Sequence, residues 1–236
     1  RHNVIPSSAQ CVICLPSAAK KACMHAIMEC FDKIRDAYKV EEPDMSCNHC
    51  CSNHNSSLQR PQKAFSPADS ARMANALFCI PHGVHSMSKT VENVVQTSDN
   101  LAIVKTEGSS MSAYVSVRSL AEFDKENAAR KVAAIMRSFG FATEIGNGYP
   151  SWTPNADSAL CAFCAKAWED LMGTRPVITS MHAGLECGVI NSRIPGMDSI
   201  STGPDLFDVH SVNEHLSLES AERVYNFVRH LLSIMV

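Results

Sequence analysis

The sequence lacks any apolar run approaching the ~20 residues that a bilayer-spanning helix needs, so no membrane span is expected. Its first residues also lack the charged-then-apolar order of a secretory signal. Positive charge is not in excess: 21 Lys and Arg against 24 Asp and Glu leave a net charge of -3. A basic surface for nucleic acid and a polybasic membrane patch are therefore both excluded. The cysteine count is eleven, an odd number, and several of these residues sit inside apolar periodic segments. Reduced thiols in a cytoplasmic protein fit that pattern better than a disulfide framework. The chain begins at Arg1 without a methionine, and the expectation is a cut or incomplete product. What is present is enough for a core: 236 residues, 45% of them hydrophobic, predict one or two domains.

Apolar periodicity supplies the elements. Residues 9–15 alternate like a short strand, and Pro16-Ser17 starts a helix whose Cys23, Ile27, Cys30 or Phe31, Ile34 and Tyr38 recur at helical spacing up to Lys39. Residues 41–67 are polar and aperiodic, a loop before a helix over 67–78. From Gly83 the pattern turns to strands at 91–96, 101–105 and 112–117, with Glu107-Gly108-Ser109 as a hairpin connection. Residues 120–139 read as a helix with Phe123, Ala128, Val132, Ile135 and Met136 on one side, followed by a strand at 142–145. Two glycines and a proline within 146–150 mark a domain boundary. Beyond it, helices alternate with strands at 177–181 and 197–201, which predicts parallel strands under covering helices. The last helix has Ser217 as cap, Glu219 and Glu222 near its positive end, and a stripe of Val224, Tyr225, Val228, Leu231 and Leu232.

Polar groups gather after these last two strands. His182-Ala183-Gly184-Leu185-Glu186-Cys187-Gly188 follows the first, and Gly203-Pro204 with His210-Ser211 and Glu214 follows the second. Strand ends that break into glycine-bounded turns are where α/β enzymes present reactive side chains. Together with Tyr149-Pro150-Ser151-Trp152-Thr153-Pro154-Asn155-Ala156-Asp157-Ser158, these segments closely resemble the aminoacyl-histidine dipeptidases, a branch of the di-zinc aminopeptidase and carboxypeptidase superfamily.

The resemblance implies an α/β protein with a lid domain of antiparallel sheet and helices over residues 1–147. The carboxy-terminal part of a zinc-peptidase catalytic domain would follow over 148–236. It implies that His210 binds one of two zinc ions through neutral imidazole, the form able to act as a metal ligand near neutrality. Glu186 and His182 are placed to meet the substrate, with Glu186 facing a free amino terminus. Asn100, in Thr97-Ser98-Asp99-Asn100, and Arg118, in Val117-Arg118-Ser119, would reach across the cleft from the lid. An arginine fork matches a terminal carboxylate, and an amide donor can stabilise an oxyanion. The implied partners are a small dipeptide and a second copy of the chain joined through the lid.

The chain has no His-x-Asp and no strand-end Glu-Glu pair of the kind that family uses for the bridging carboxylate and general base. No catalytic residue is therefore assigned within the chain, and alone it is expected to be inactive. Cys11-x-x-Cys14 looks like half a zinc ribbon, but on a strand residues three apart face opposite ways. Cys47, Cys50 and Cys51 with His49 and His54 form a second candidate metal cluster, in the polar loop. Cys161 and Cys164 read as helix packing residues, and Cys187 as a small packing residue. The competing readings are a tripeptide aminopeptidase or aminoacylase, and a catalytically silent dimerisation module.

Overall fold

A computed structural model describes residues 4–48, 63–146, 148–180, 184–209 and 211–235. The chain divides into two compact units, Ser7–Ala71 and a second comprising Arg1–Pro6 with Arg72–Val236.

The smaller unit is built on α1 (Lys20–Ala37), entered through a 3-10 turn at Ser17–Ala19. Cys23, Ile27 and Phe31 of the expected stripe are half-buried along it, together with Met24 and Met28, whereas Ile34 and Tyr38 near its end are exposed. Its water-facing side carries pairs such as Glu29 with Lys33 and Asp32 with Arg35, each 2.7 Å apart. Residues 9–15 are irregular and mostly exposed rather than a strand. The unit offers no other strand among its described residues, and a single extended segment has no ladder in which to pair its backbone groups.

The larger unit begins within α2 (Pro67–Cys79) and contains a three-stranded antiparallel sheet in the order β1 (Gly83–Met87), β2 (Val95–Glu107), β3 (Ser110–Ser119). The two strands expected at 91–96 and 101–105 are one long strand, preceded by a turn in which Asn93 takes a positive φ of 59°. The predicted hairpin forms: Glu107 pairs with Ser110 across Gly108-Ser109, and Gly108 has the positive φ, 59°, that such tight turns require. Helix α3 (Glu122–Ser138) packs on β2 and β3. Ala76 and Ile80 meet Met136 in the core there, flanked by Leu101, Ala113, Val115, Phe139 and Phe141. Phe123 is 75% exposed, because the first turn of α3 projects beyond that core.

Helices α4 (Ala159–Met172) and α6 (Leu218–Ile234) enclose a second core of Cys164, Ala167 and Phe227. The Trp168 and Phe227 rings meet edge to face at 5.1 Å. Ser217 caps α6 as its sequence predicts, accepting from the Ser220 N–H at 3.2 Å. Between the helices lie α5 (Glu186–Arg193) and a small ribbon of β4 (Leu206–Phe207) with β5 (His215–Leu216).

Helices and antiparallel sheet are thus mixed as the α/β reading requires, but the expected parallel strands are absent among the described residues. Residues 142–145, 177–180 and 197–201 are irregular. Val177, expected to be buried, is 90% exposed. These segments carry strand-like side chains with no neighbouring strand edge to bond, and alternation alone does not hold a strand.

Candidate substrate-binding site

Two neighbourhoods carry the residues singled out in the sequence. The first is the β2–β3 hairpin. Starting from the Glu107–Ser110 turn, a regular ladder would set Asn100 opposite Val117 and turn Arg118 to the other side of the sheet. The observed register instead pairs Asn100 with Ser116 and Ser98 with Arg118, after a shift between Leu101 and Ile103. The extra residue, Ala102, is a β-bulge that reverses the parity of the strand. Asn100 and Arg118 therefore share one face as diagonal neighbours. Arg118 is exposed and Asn100 half-buried. The Asn100 Nδ2 donates to the Val4 carbonyl at 3.0 Å, and its Oδ1 is buried with no hydrogen-bond partner among the described residues.

The second neighbourhood joins residues 149–153 to the 184–188 motif. A Cβ placed on Gly184 would lie 2.7 Å from Cγ of Tyr149, and one on Gly188 would lie 2.9 Å from the Pro150 carbonyl oxygen. Only glycine allows these segments to approach so closely. Glu186 lies between the two glycines as the first residue of α5, with its side chain exposed. The strand-end turn expected there is a helix start, a position where the helix dipole favours a carboxylate.

The start of α3 holds the same loop from the other side. Glu122 Oε2 accepts from the Ser151 N–H at 2.8 Å, Lys125 Nζ donates to the Tyr149 carbonyl, and Thr153 Oγ1 donates to the Leu120 carbonyl at 2.9 Å. Burial works to raise the Glu122 carboxyl, but Lys125 and Ser151 outweigh it and hold it below the usual range. Since β3 ends at Ser119 and α3 starts at Glu122, a short chain of contacts runs from the strand bearing Arg118 to the helix bearing Glu186. His182 and His210 lie outside the described residues, as do Cys50, Cys51, His49 and His54 of the polar loop.

Two further features carry no motif. Asp198 reaches the N-terminus of α4, where Oδ2 accepts from the Leu160 N–H at 3.0 Å and Oδ1 accepts from Ser158 Oγ at 2.7 Å. Those donors hold its carboxyl below the ordinary range. Asp99, on the core-facing side of β2 beside Asn100, has a side chain with no exposed surface and lies 2.8 Å from His85 Nε2. Its place could have been read from strand parity, which sets residue 99 on the same side as the buried Thr97.

The described cysteines are all free. Cys11 and Cys14 are exposed on an irregular segment, so the strand geometry expected to separate them does not apply. Cys164 is buried in the α4–α6 core, and Cys187 Sγ lies 3.6 Å from the Ile200 carbonyl, both as packing residues. No group of three His, Cys, Asp or Glu among the described residues is placed to hold a metal ion, so these residues do not form a zinc site by themselves.

No family model matches the chain. The cytosol non-specific dipeptidase of Escherichia coli (strain K12) is 30% identical to it over 161 residues, 68% of this chain. The crystal structure of aminoacylhistidine dipeptidase from Vibrio alginolyticus superposes with a TM-score of 0.78 over 93% of the chain at 27% identity. Over these lengths the chain is similar to both dipeptidases, to one in sequence and to the other in fold. It spans 33% of the length of the Escherichia coli dipeptidase and 44% of the Vibrio dipeptidase chain. No helix among the described residues is long and apolar enough to cross a membrane.

Proposed function

We propose that residues 1–147 form the lid and residues 148–236 the carboxy-terminal part of the catalytic domain of a zinc-dependent dipeptidase that hydrolyses Xaa-His dipeptides. The observation that most supports this reading is the likeness to the Vibrio aminoacylhistidine dipeptidase across 93% of the chain. Arg118, exposed on the hairpin face, presents its planar fork to the C-terminal carboxylate of the dipeptide. Asn100 lies beside it and meets the scissile peptide group, exchanging its contact with the Val4 carbonyl for one with the substrate. Glu186, at the exposed start of α5, receives the positive amino terminus, and His182 borders it.

His210 is the chain's ligand to one of two zinc ions. Bound zinc supplies a water of lowered pKa to such a site. In this reading the remaining ligands and the general-base glutamate lie in sequence beyond residues 1–236, in keeping with a chain that spans 44% of the Vibrio dipeptidase, and this chain by itself is inactive. The working protein is a cytoplasmic homodimer joined through the lid, with a small-peptide substrate and neither nucleic acid nor membrane as partner. Free thiols agree with that compartment, as does the word "cytosol" in the name of the Escherichia coli dipeptidase. That dipeptidase is named non-specific, which favours a second reading in which side chains other than histidine are also accepted.

The test is hydrolysis of a panel of Xaa-His and other dipeptides by the full-length gene product loaded with zinc, beside residues 1–236 alone. Cleavage of Xaa-His dipeptides only by the longer protein is expected. Failure of the zinc-loaded longer protein on every dipeptide overturns the proposal, and cleavage by residues 1–236 alone overturns the assigned inactivity.

A further inference from the structure

Strand β1 is the edge of the sheet, and its hold on β2 passes through a charge. The β1–β2 ladder is short and irregular, with register shifts on both sides of Ser86. Behind it, Asp99 on β2 is shut off from water, and His85 Nε2 on β1 lies 2.8 Å from Asp99 Oδ2. With the imidazole protonated, this contact is a close ion pair. Neither carboxylate oxygen meets a well-oriented donor among the described residues. The next residue inward on the same face, Thr97, bonds Ser119 hydroxyl to hydroxyl at 2.9 Å and offers Asp99 nothing.

Of the other charged groups around this carboxylate, His82 adds a weaker pull and the rest are engaged elsewhere. His82, before β1, is the second basic group near it, and its Nδ1 accepts from the Leu101 N–H at 3.1 Å. On β3 the residue opposite is apolar Val117, while Arg118 faces the other side of the sheet. On α3, Asp124 accepts from Gln96 Nε2 at 3.2 Å, and Lys125 is paired with Glu122. On α2, Arg72 stacks over the Phe141 ring.

We propose that His85 and Asp99 form a pH-sensitive clasp that keeps edge strand β1 paired with β2 while the imidazole is protonated and loosens it when that proton leaves. The His85 side chain is 31% exposed and can trade protons with water, whereas the Asp99 side chain, at 0%, cannot. Imidazole is the side chain whose charge ordinarily changes near neutrality. Once it is neutral, the carboxylate is a buried anion without a contacting counter-charge, and opening β1 is the way to hydrate it.

Burial also pushes the Asp99 carboxyl above its ordinary value, against the pull of His85 and His82. A raised folded-state value contributes stability that is complete below the unfolded value, near 3.8, and is lost as pH rises through the folded one. Ionising Asp99 therefore costs the fold stability, and a protonated imidazole at 2.8 Å is what offsets that cost. The inference does not depend on what substrate the protein binds.

Hydrogen exchange of this chain, corrected for intrinsic rates, tests it at pH 6 and pH 8. Amides of 83–87 and 95–99 should open at least about tenfold more often at pH 8, the change expected on losing one contact to a charged group. Amides of the hairpin tip, 104–113, should not change. Asp99→Asn should keep β1 closed at both pH values, and His85→Gln should leave it equally open at both. Equal opening of β1 in the wild type at the two pH values, or an unchanged pH response in Asp99→Asn, overturns the clasp. Should Asp99→Asn fail to fold, a pH response retained by His85→Gln overturns it instead.

Discussion

Asn100 and Arg118 lie on the same face of the sheet because Ala102 puts one extra residue into β2. Without it, Arg118 would stand beside Asp99 on the buried side. The position proposed for gripping substrate thus depends on a residue that touches no substrate.

In the longer dipeptidase proposed above, Arg118→Lys should lower kcat/KM about 10- to 100-fold, since a bidentate hydrogen bond to a charged group contributes roughly 1.5–3 kcal/mol. The loss should vanish with dipeptides whose C-terminus is amidated. Steady-state kinetics on the paired substrates checks this, and an equal loss on both means that Arg118 does not hold the carboxylate.

Gly184→Ala should destabilise the larger unit by about 1–3 kcal/mol, because the new methyl group would stand 2.7 Å from the Tyr149 ring. Adding Tyr149→Gly, which removes the Cβ at 2.9 Å together with the ring, should recover most of that cost. A double-mutant cycle by urea unfolding measures the coupling, and purely additive losses would separate the two residues.

Asp198 should shape the acid limb of the stability curve. The Leu160 N–H and the Ser158 hydroxyl hold its carboxyl low in the folded state. Its contribution is therefore present above the unfolded carboxylate value and lost as pH falls through the lower folded value. Asp198→Asn should be less stable than wild type at pH 7 and lose less on acidification to pH 3. Parallel melting curves for the two proteins across that range would contradict this assignment.

Ser217→Ala should cost about 1 kcal/mol, the usual worth of a helix N-cap. The change in urea midpoint reads it directly. No change would place the anchoring of α6 in its apolar stripe alone.

Helices are legible where one face packs and its periodicity is written in the sequence, as with Ile27 and Phe31 on α1 and Val132 and Met136 on α3. On α6 the helix and its cap are as expected but the stripe is not: Phe227, outside it, is buried against α4, while Tyr225, Val228 and Leu232 are exposed. The hairpin was legible from Gly108. The strands expected at 9–15, 142–145, 177–181 and 197–201 were misread because alternation records a tendency to extend, whereas a strand exists only beside another strand. The resemblance supplied Asn100, Arg118 and Glu186, but the bulge that aligns the first two leaves no mark in the sequence, since Ala102 is apolar like its neighbours. The Asp99–His85 pair escaped for a related reason. Its members are adjacent only after β1 folds back on β2, and neither belongs to a recognisable motif.

The most direct measurement is anomalous diffraction at the zinc edge from crystals of the longer protein proposed above. A zinc ion is expected about 2.0–2.1 Å from an imidazole nitrogen of His210, with Glu186 facing the same cavity. Zinc bound elsewhere while His210 points into solvent, or Glu186 and His210 on opposite sides of the molecule, would contradict it.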